Sequence, residues 1–157
     1  MIQKLLGKLW RHTPARLRRL TMRMTHARFT VTAGAVIQNE QGQVLLLKHT
    51  FRTGSGWGLP GGFLEGGEQP VEGLRRELRE EIGLELEQVE LFAARSFKRP
   101  QQVEILFRGF ASGRAQLKSI EIDRASWFAP NSLPDGLPKD QRLIVERAVR
   151  DGGKAQT

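Results

Sequence analysis

The apolar residues of this chain change period along its length, and the changes mark its elements. Ile2, Leu5, Leu6, Leu9 and Trp10 follow the spacing of one helical stripe, with Lys4, Lys8 and Arg11 outside it. Pro14 interrupts this basic amphipathic helix, because proline offers no amide hydrogen and crowds the preceding turn. Leu17, Leu20 and Met24 then resume the helical spacing among Arg16, Arg18, Arg19 and Arg23. From Phe29 the texture becomes β-like: FTVTAGAVIQN, a turn at residues 40–42 and QVLLLKH predict a hairpin. Pro70 suits a first helical turn, Val71, Leu74, Leu78 and Ile82 form one stripe, and Gly83 is a stop, so a helix is expected over 70–82. ELEQVELFAARSF and QQVEILFRGFAS read as β-rich runs, with Lys98-Arg99-Pro100 as the breaker between them. A short stretch near IEIDRASWFAP follows, and Leu143, Val145 and Val149 place a last helix within 138–150. The order is mixed α/β with antiparallel elements, without internal repeats or low-complexity tracts.

The chain has 157 residues, 39% of them hydrophobic, which suits one domain with its own core. No uncharged apolar run approaches the roughly 18 residues of a membrane-spanning helix. The absence of cysteine excludes a disulfide scaffold, a thiol nucleophile and a thiolate zinc site. His12, His26 and His49 are scattered, so no zinc is expected. Nothing resembles a secretory signal, and a cytoplasmic protein is the expectation.

The net charge of +8 changes meaning once it is located. Residues 1–28 carry eight Lys/Arg and no Asp or Glu, leaving 17 basic against 17 acidic residues in the rest. Three readings fit this arm. It packs its stripe on the domain or on a second subunit; it meets anionic lipid or RNA; or it is a mitochondrial presequence, although it lacks serine.

Two features carry candidate chemistry. Residues 50–69 hold seven of the seventeen glycines, too many for a helix or an ordinary strand, so a loop with unusual dihedrals or a close backbone approach is expected there. On a helical wheel, Glu80 and Glu81 fall within about 60° on either side of Glu77, beside the apolar stripe. Like charges at these spacings repel, and Arg76 relieves only part of this, so a cation belongs there. Clustered carboxylate oxygens suit Mg²⁺ or Mn²⁺. RELREE alone also fits an ordinary solvated face with alternating charges. Gly61-Gly62 just before the helix, with Gly66-Gly67-Glu68, lets a backbone carbonyl turn toward the same carboxylates, and the two features together read as a metal and phosphate site.

The run from Gly62 to Leu84, GFLEGGEQPVEGLRRELREEIGL, resembles the Nudix box, filling every specified position: Gly62, Glu68, Arg76, Glu77, Leu78, Glu80, Glu81, Gly83 and Leu84. With residue frequencies of about one in fifteen, seven fixed identities at fixed spacing arise by chance less than roughly once in a million windows. The resemblance extends more loosely over residues 29–150. It implies an α/β/α sandwich around a mixed sheet, preceded by the basic helical arm: arm 1–28, Nudix hydrolase domain 29–151, tail 152–157. It also implies water attack on a bridging phosphorus of a nucleoside diphosphate linked to another group. By similarity, Glu77, Glu80 and Glu81 match the positions that bind divalent ions, Mg²⁺ or Mn²⁺, and Gly61 matches one that contributes a carbonyl oxygen. Gly62, Glu68, Arg76 and Gly83 match structural positions of the box. The base comes from outside the box in many relatives; Glu121, six residues before Trp127, is the nominee and Glu104 the second choice, with Glu77 and Glu80 as alternatives within the cluster.

Substrate choice lies outside the box. Pro100 stands sixteen residues after Leu84, a spacing similar to the ADP-ribose-hydrolysing group, although a turn between strands explains it equally. The chain has no tyrosine to mark a dinucleoside polyphosphate hydrolase and no cysteine for the isomerase branch. Trp57 and Phe51 are candidates to stack on a base, and Lys48, His49 and Arg52 to contact phosphates. The expected substrate is an ADP-ribose-like or sugar-linked nucleoside diphosphate or a nucleoside triphosphate. The competing reading is a non-catalytic nucleotide sensor that attaches to membrane or RNA through its arm. Relatives are frequently dimeric, so a homodimer is an expected partner state.

Overall fold

The computed structural model describes residues 11–152, so the stripe expected over residues 2–10 and the tail from 153 lie outside the described residues. Helix α1 spans Ala15–Thr25 and begins at Pro14, whose carbonyl accepts from the amides of Leu17 (3.0 Å) and Arg18 (3.1 Å). Its Leu17, Leu20 and Met24 are exposed, so this helix does not pack its stripe on the domain.

The domain is a mixed sheet between two helices. Strand β1 (Thr30–Gln38) lies at its centre and pairs antiparallel with β2 (Val44–His49), as the hairpin pattern predicts. Sequence alternation gives the two faces. Ala33, Ala35 and Ile37 of β1 and Leu45 and Leu47 of β2 join one core with Leu74, Leu78 and Ile82, while Val36, Val44 and Leu46 join a second with Val145 and Ala148. A strand covered on both faces needs apolar residues at every position, hence the unbroken VLLL of β2.

The rest of the sheet comes from distant segments. Strands β5 (Glu87–Phe97) and β6 (Gln102–Phe110) form an antiparallel pair across the turn at residues 98–101, and β7 (Ile122–Phe128) pairs with β2. β6 runs parallel to β1 over nine residue pairs, from Thr30↔Gln102 to Gln38↔Phe110. Helix α2 (Pro70–Ile82) covers one face and α3 (Lys139–Gly152) the other, each within two residues of its expected bounds. α2 ends as its sequence specifies: Gly83 takes φ 65° and donates to Arg79 O.

The glycine-rich stretch differs from expectation. It contains two short strands, β3 (Trp57–Gly58) against β2 and β4 (Gly61–Phe63) against β1. Glycine is needed because Gly61 crosses the backbone of β1 at φ 146°, where a Cβ would overlap Ala33 O and lie 2.6 Å from Gly34 Cα. The close approach expected of these glycines is therefore made to a neighbouring strand.

Candidate active site

The carboxylate edge of α2 is held by Arg76. Its Nε and Nη2 donate to the two Glu68 carboxylate oxygens (3.0 and 3.1 Å), and Nη2 also donates to Phe63 O (3.1 Å). Glu68 accepts as well from the Glu65 amide (3.0 Å), and its carboxyl is held below the usual range by these donors, Arg76 foremost. One fork thus ties the loop before α2 to the helix, and Gly73 makes room for it, since a Cβ there would lie 2.9 Å from Glu68 Oε2. Arg76 Nη1 then donates to Glu77 Oε1 (3.0 Å) and Glu80 Oε2 (3.3 Å).

Three carboxylates of one helix edge experience three environments. Glu80 is exposed, Glu77 is half-buried beneath Gly62, and Glu81 is buried, with its Oε2 lacking any hydrogen-bond partner. A Cβ on Gly62 would overlap the Glu77 carboxylate, so the glycine is what seats it. Burial pushes the Glu77 carboxyl up, opposed by Arg76. Burial first, then the charges of Glu77 and Glu121, push Glu81 up to about 7.

Glu121 arrives from far along the chain, on the segment after β6. The amides of Gln116 and Lys118 donate to the terminal α2 carbonyls of Ile82 (2.8 Å) and Glu81 (2.9 Å). Thr50 binds the carbonyls of Glu121 (2.8 Å, through its amide) and Ile120 (3.0 Å, through Oγ1). This pinning leaves the exposed Glu121 side chain near enough to act on the titration of both Glu77 and Glu81. Glu104 is engaged by Arg95, which bridges it to Asp140.

A cavity of about 230 Å³ opens beside Gly61 and Gly62, lined by Thr32, Arg52, Gln102, Glu104 and Gln141 among others. Arg52 is packed over Gly58, where a Cβ would overlap its Nη1. Burial lowers its pKa, and Glu81 and Glu104 partly offset that; it makes no ion pair among the described residues. The other nominated contacts lie apart from this cavity. Trp57 packs edge-on against Phe128 (centroids 5.1 Å apart, planes at 87°) and joins the core beneath α3. Lys48 pairs with Asp123 at 3.5 Å, and Phe51 is exposed. His49 is pushed down to about 4 by burial and by Arg52, so it brings no positive charge at neutral pH. Gln102 and Gln141 were not foreseen; Gln102 donates to Thr32 Oγ1 (2.8 Å) and Gln141 accepts from the Leu59 amide (2.8 Å) across 82 residues. No local pattern flags either one.

The donor set of the edge is one that would suit a hard cation. All its donors are hard oxygens, and Glu81 Oε2 is a desolvated acceptor with nothing to accept from. Among the described residues no three His, Asp or Glu side chains converge closely enough to enclose an ion as they stand; Arg76 occupies Glu77 Oε1 and Glu80 Oε2.

A family profile for the NUDIX domain matches residues 28–148. The chain belongs to the NUDIX family. It is 37% identical over 122 residues to the human 8-oxo-dGDP phosphatase NUDT18, covering 74% of this chain and 38% of that protein. It is 33% identical over 125 residues to a MutT-like protein of Streptomyces ambofaciens, covering 79% of each. A solved NUDIX hydrolase from Nitrosomonas europaea superposes with TM-score 0.70 at 27% identity, over 80% of this chain and 73% of that one. The chain thus spans less than half the length of several curated relatives, the human protein among them, and about three quarters of the Streptomyces and Nitrosomonas proteins.

The folded NUDIX domain holds a proton on Glu81 up to about pH 7, whereas the unfolded chain releases it near 4.5. The resulting stabilisation is complete below pH 4.5 and is lost as pH rises through 7, about 3 kcal/mol in all. Neutral His49 works oppositely, adding stability as pH rises from about 4 to 6.5. The two offset one another in the parent protein, so the difference between variants isolates Glu81. In chelator-treated samples, Glu81→Gln is expected to gain up to about 3 kcal/mol relative to the parent between pH 5 and pH 8 in urea melts. A constant difference across that range would contradict the assignment.

Proposed function

We propose that residues 29–151 hydrolyse a pyrophosphate bond in a small nucleotide-derived substrate, either a nucleoside di- or triphosphate or a nucleoside diphosphate joined to another group, using Mg²⁺ or Mn²⁺. The observation that carries this reading is the placement of Glu77, Glu80, Glu81 and Glu121 at one end of α2, beside a cavity that contains Arg52. The relatives support the substrate class: one, 37% identical over 122 residues, is named for a nucleoside diphosphate, 8-oxo-dGDP.

Glu77, Glu80, Glu81 and the Gly61 carbonyl are the groups that would hold the ion. When bound, it neutralises phosphate charge and lowers the pKa of the attacking water. Arg52 supplies the positive charge on the cavity side, a fork suited to phosphate oxygens. Glu68, Arg76, Gly62 and Gly83 set the loop and helix in register and act as positioning residues. Glu121 takes the proton from the attacking water, as an exposed carboxylate brought beside the α2 edge by the loop that caps the helix. Lys48 and Trp57, engaged by Asp123 and Phe128, stay outside the cavity and do not contact the substrate in this reading.

The test is product release from nucleoside di- and triphosphates, ADP-ribose and sugar nucleotides, with and without chelator. Turnover of at least one class, abolished by chelation and restored by Mg²⁺ or Mn²⁺, is expected; tight binding of every class without turnover would favour a sensor. Glu121→Gln is expected to lower kcat by about 10²- to 10⁴-fold with little change in KM. A near-normal kcat would remove Glu121 and return the role to Glu77 or Glu80.

A further inference from the structure

The charge excess of the chain sits on a segment whose helix the domain leaves uncovered. Around α1, Leu17, Leu20 and Met24 fall within about 60° of one another, with Arg16 and Arg19 on one flank and Arg18 on the other. These three side chains are 53%, 53% and 79% exposed, and Met22, also exposed, lies outside the stripe. Residues 1–28 contain no acid at all, and the rest of the chain is balanced.

Charge and apolarity together select the occupant. A second copy of the arm would set one acid-free basic helix against another, and like charges would oppose the pairing. An RNA backbone would satisfy the arginines but leave Leu17, Leu20 and Met24 in water. An anionic lipid surface takes both faces at once, phosphate headgroups against the arginines and acyl chains against the stripe. Among the described residues no helix is long and apolar enough to cross a membrane, so the contact is peripheral.

We propose that α1 lies on an anionic membrane surface, burying Leu17, Leu20 and Met24 at the acyl boundary with its arginines at the headgroups. The full chain is to be sedimented with phosphatidylcholine vesicles containing about one-third phosphatidylglycerol, and with pure phosphatidylcholine. Binding to the first and not the second is expected, falling at least about tenfold in high salt and in Arg16→Glu/Arg19→Glu. Leu17→Asp/Leu20→Asp is expected to fall by a similar factor with the thermal midpoint of the domain unchanged, since both side chains face solvent. Three results would overturn the proposal: no vesicle binding; vesicle binding indifferent to Leu17→Asp/Leu20→Asp; or, in place of vesicle binding, either retention of a single-stranded RNA probe unaffected by that variant or a vesicle-free dimer that the variant dissociates.

Discussion

Glu81→Gln is expected to lower turnover by about 10²- to 10³-fold, the scale of losing one preorganised electrostatic contact to a reacting group. The substitution keeps side-chain volume and removes a charge that the fold buries at a cost. Glu81 is pushed up to about 7 and its Oε2 has no partner, so in the ion-free protein it is a source of instability at pH 8. The variant should therefore be slower and, without metal, more stable. That pairing of opposite signs separates a functional carboxylate from a structural one, whose removal would lower both quantities. The Mn²⁺ affinity should fall alongside the rate, by titration calorimetry. Unchanged turnover in Glu81→Gln would detach the buried carboxylate from the reaction.

Gly61→Ala is expected to destabilise the fold by about 2–6 kcal/mol, combining strain at a glycine-only dihedral with a backbone overlap. The overlap is with Ala33 O, a backbone atom of β1, which is paired to both β4 and β6, so no side-chain rotation relieves it. A thermal midpoint lowered on the order of 10 °C is the expected readout. Gly66→Ala is the control: no atom lies within 4 Å of the added Cβ, and its φ is outside the left-handed region. It should melt within about 2 °C of the parent. Equal melting of the two variants would mean that β4 can detach from β1 without cost.

The legible parts of this protein are those whose cause is local. α2 was readable at both ends because proline starts it and a left-handed glycine stops it. The Glu77, Glu80 and Glu81 edge was readable from helical spacing, and Glu68 and Arg76 as structural positions from the box, although their fork appears only in the fold. The unreadable parts depend on partners brought from far along the chain. β4 looks like loop in a glycine run, and only contact with β1 makes it a strand. Trp57 has the composition of a ligand stacker, but Phe128, 71 residues on, takes its ring. Lys48 is drawn off by Asp123 in the same way. Gln102 and Gln141 enter the cavity through sheet pairing and helix packing that no short motif announces. Glu121 lies between these cases: the resemblance points to its position, while its place beside Glu77 and Glu81 depends on the loop that caps α2.

Hydrolysis of an accepted nucleotide in ¹⁸O-labelled water, read by mass spectrometry of both products, tests whether the carboxylate end of α2 directs water onto a pyrophosphate phosphorus. The expected result is one ¹⁸O in the phosphate of a single product, with the rate of label uptake falling by about 10²- to 10³-fold in Glu81→Gln. Products formed without label in either phosphate, or label uptake at the same rate in Glu81→Gln, would contradict it.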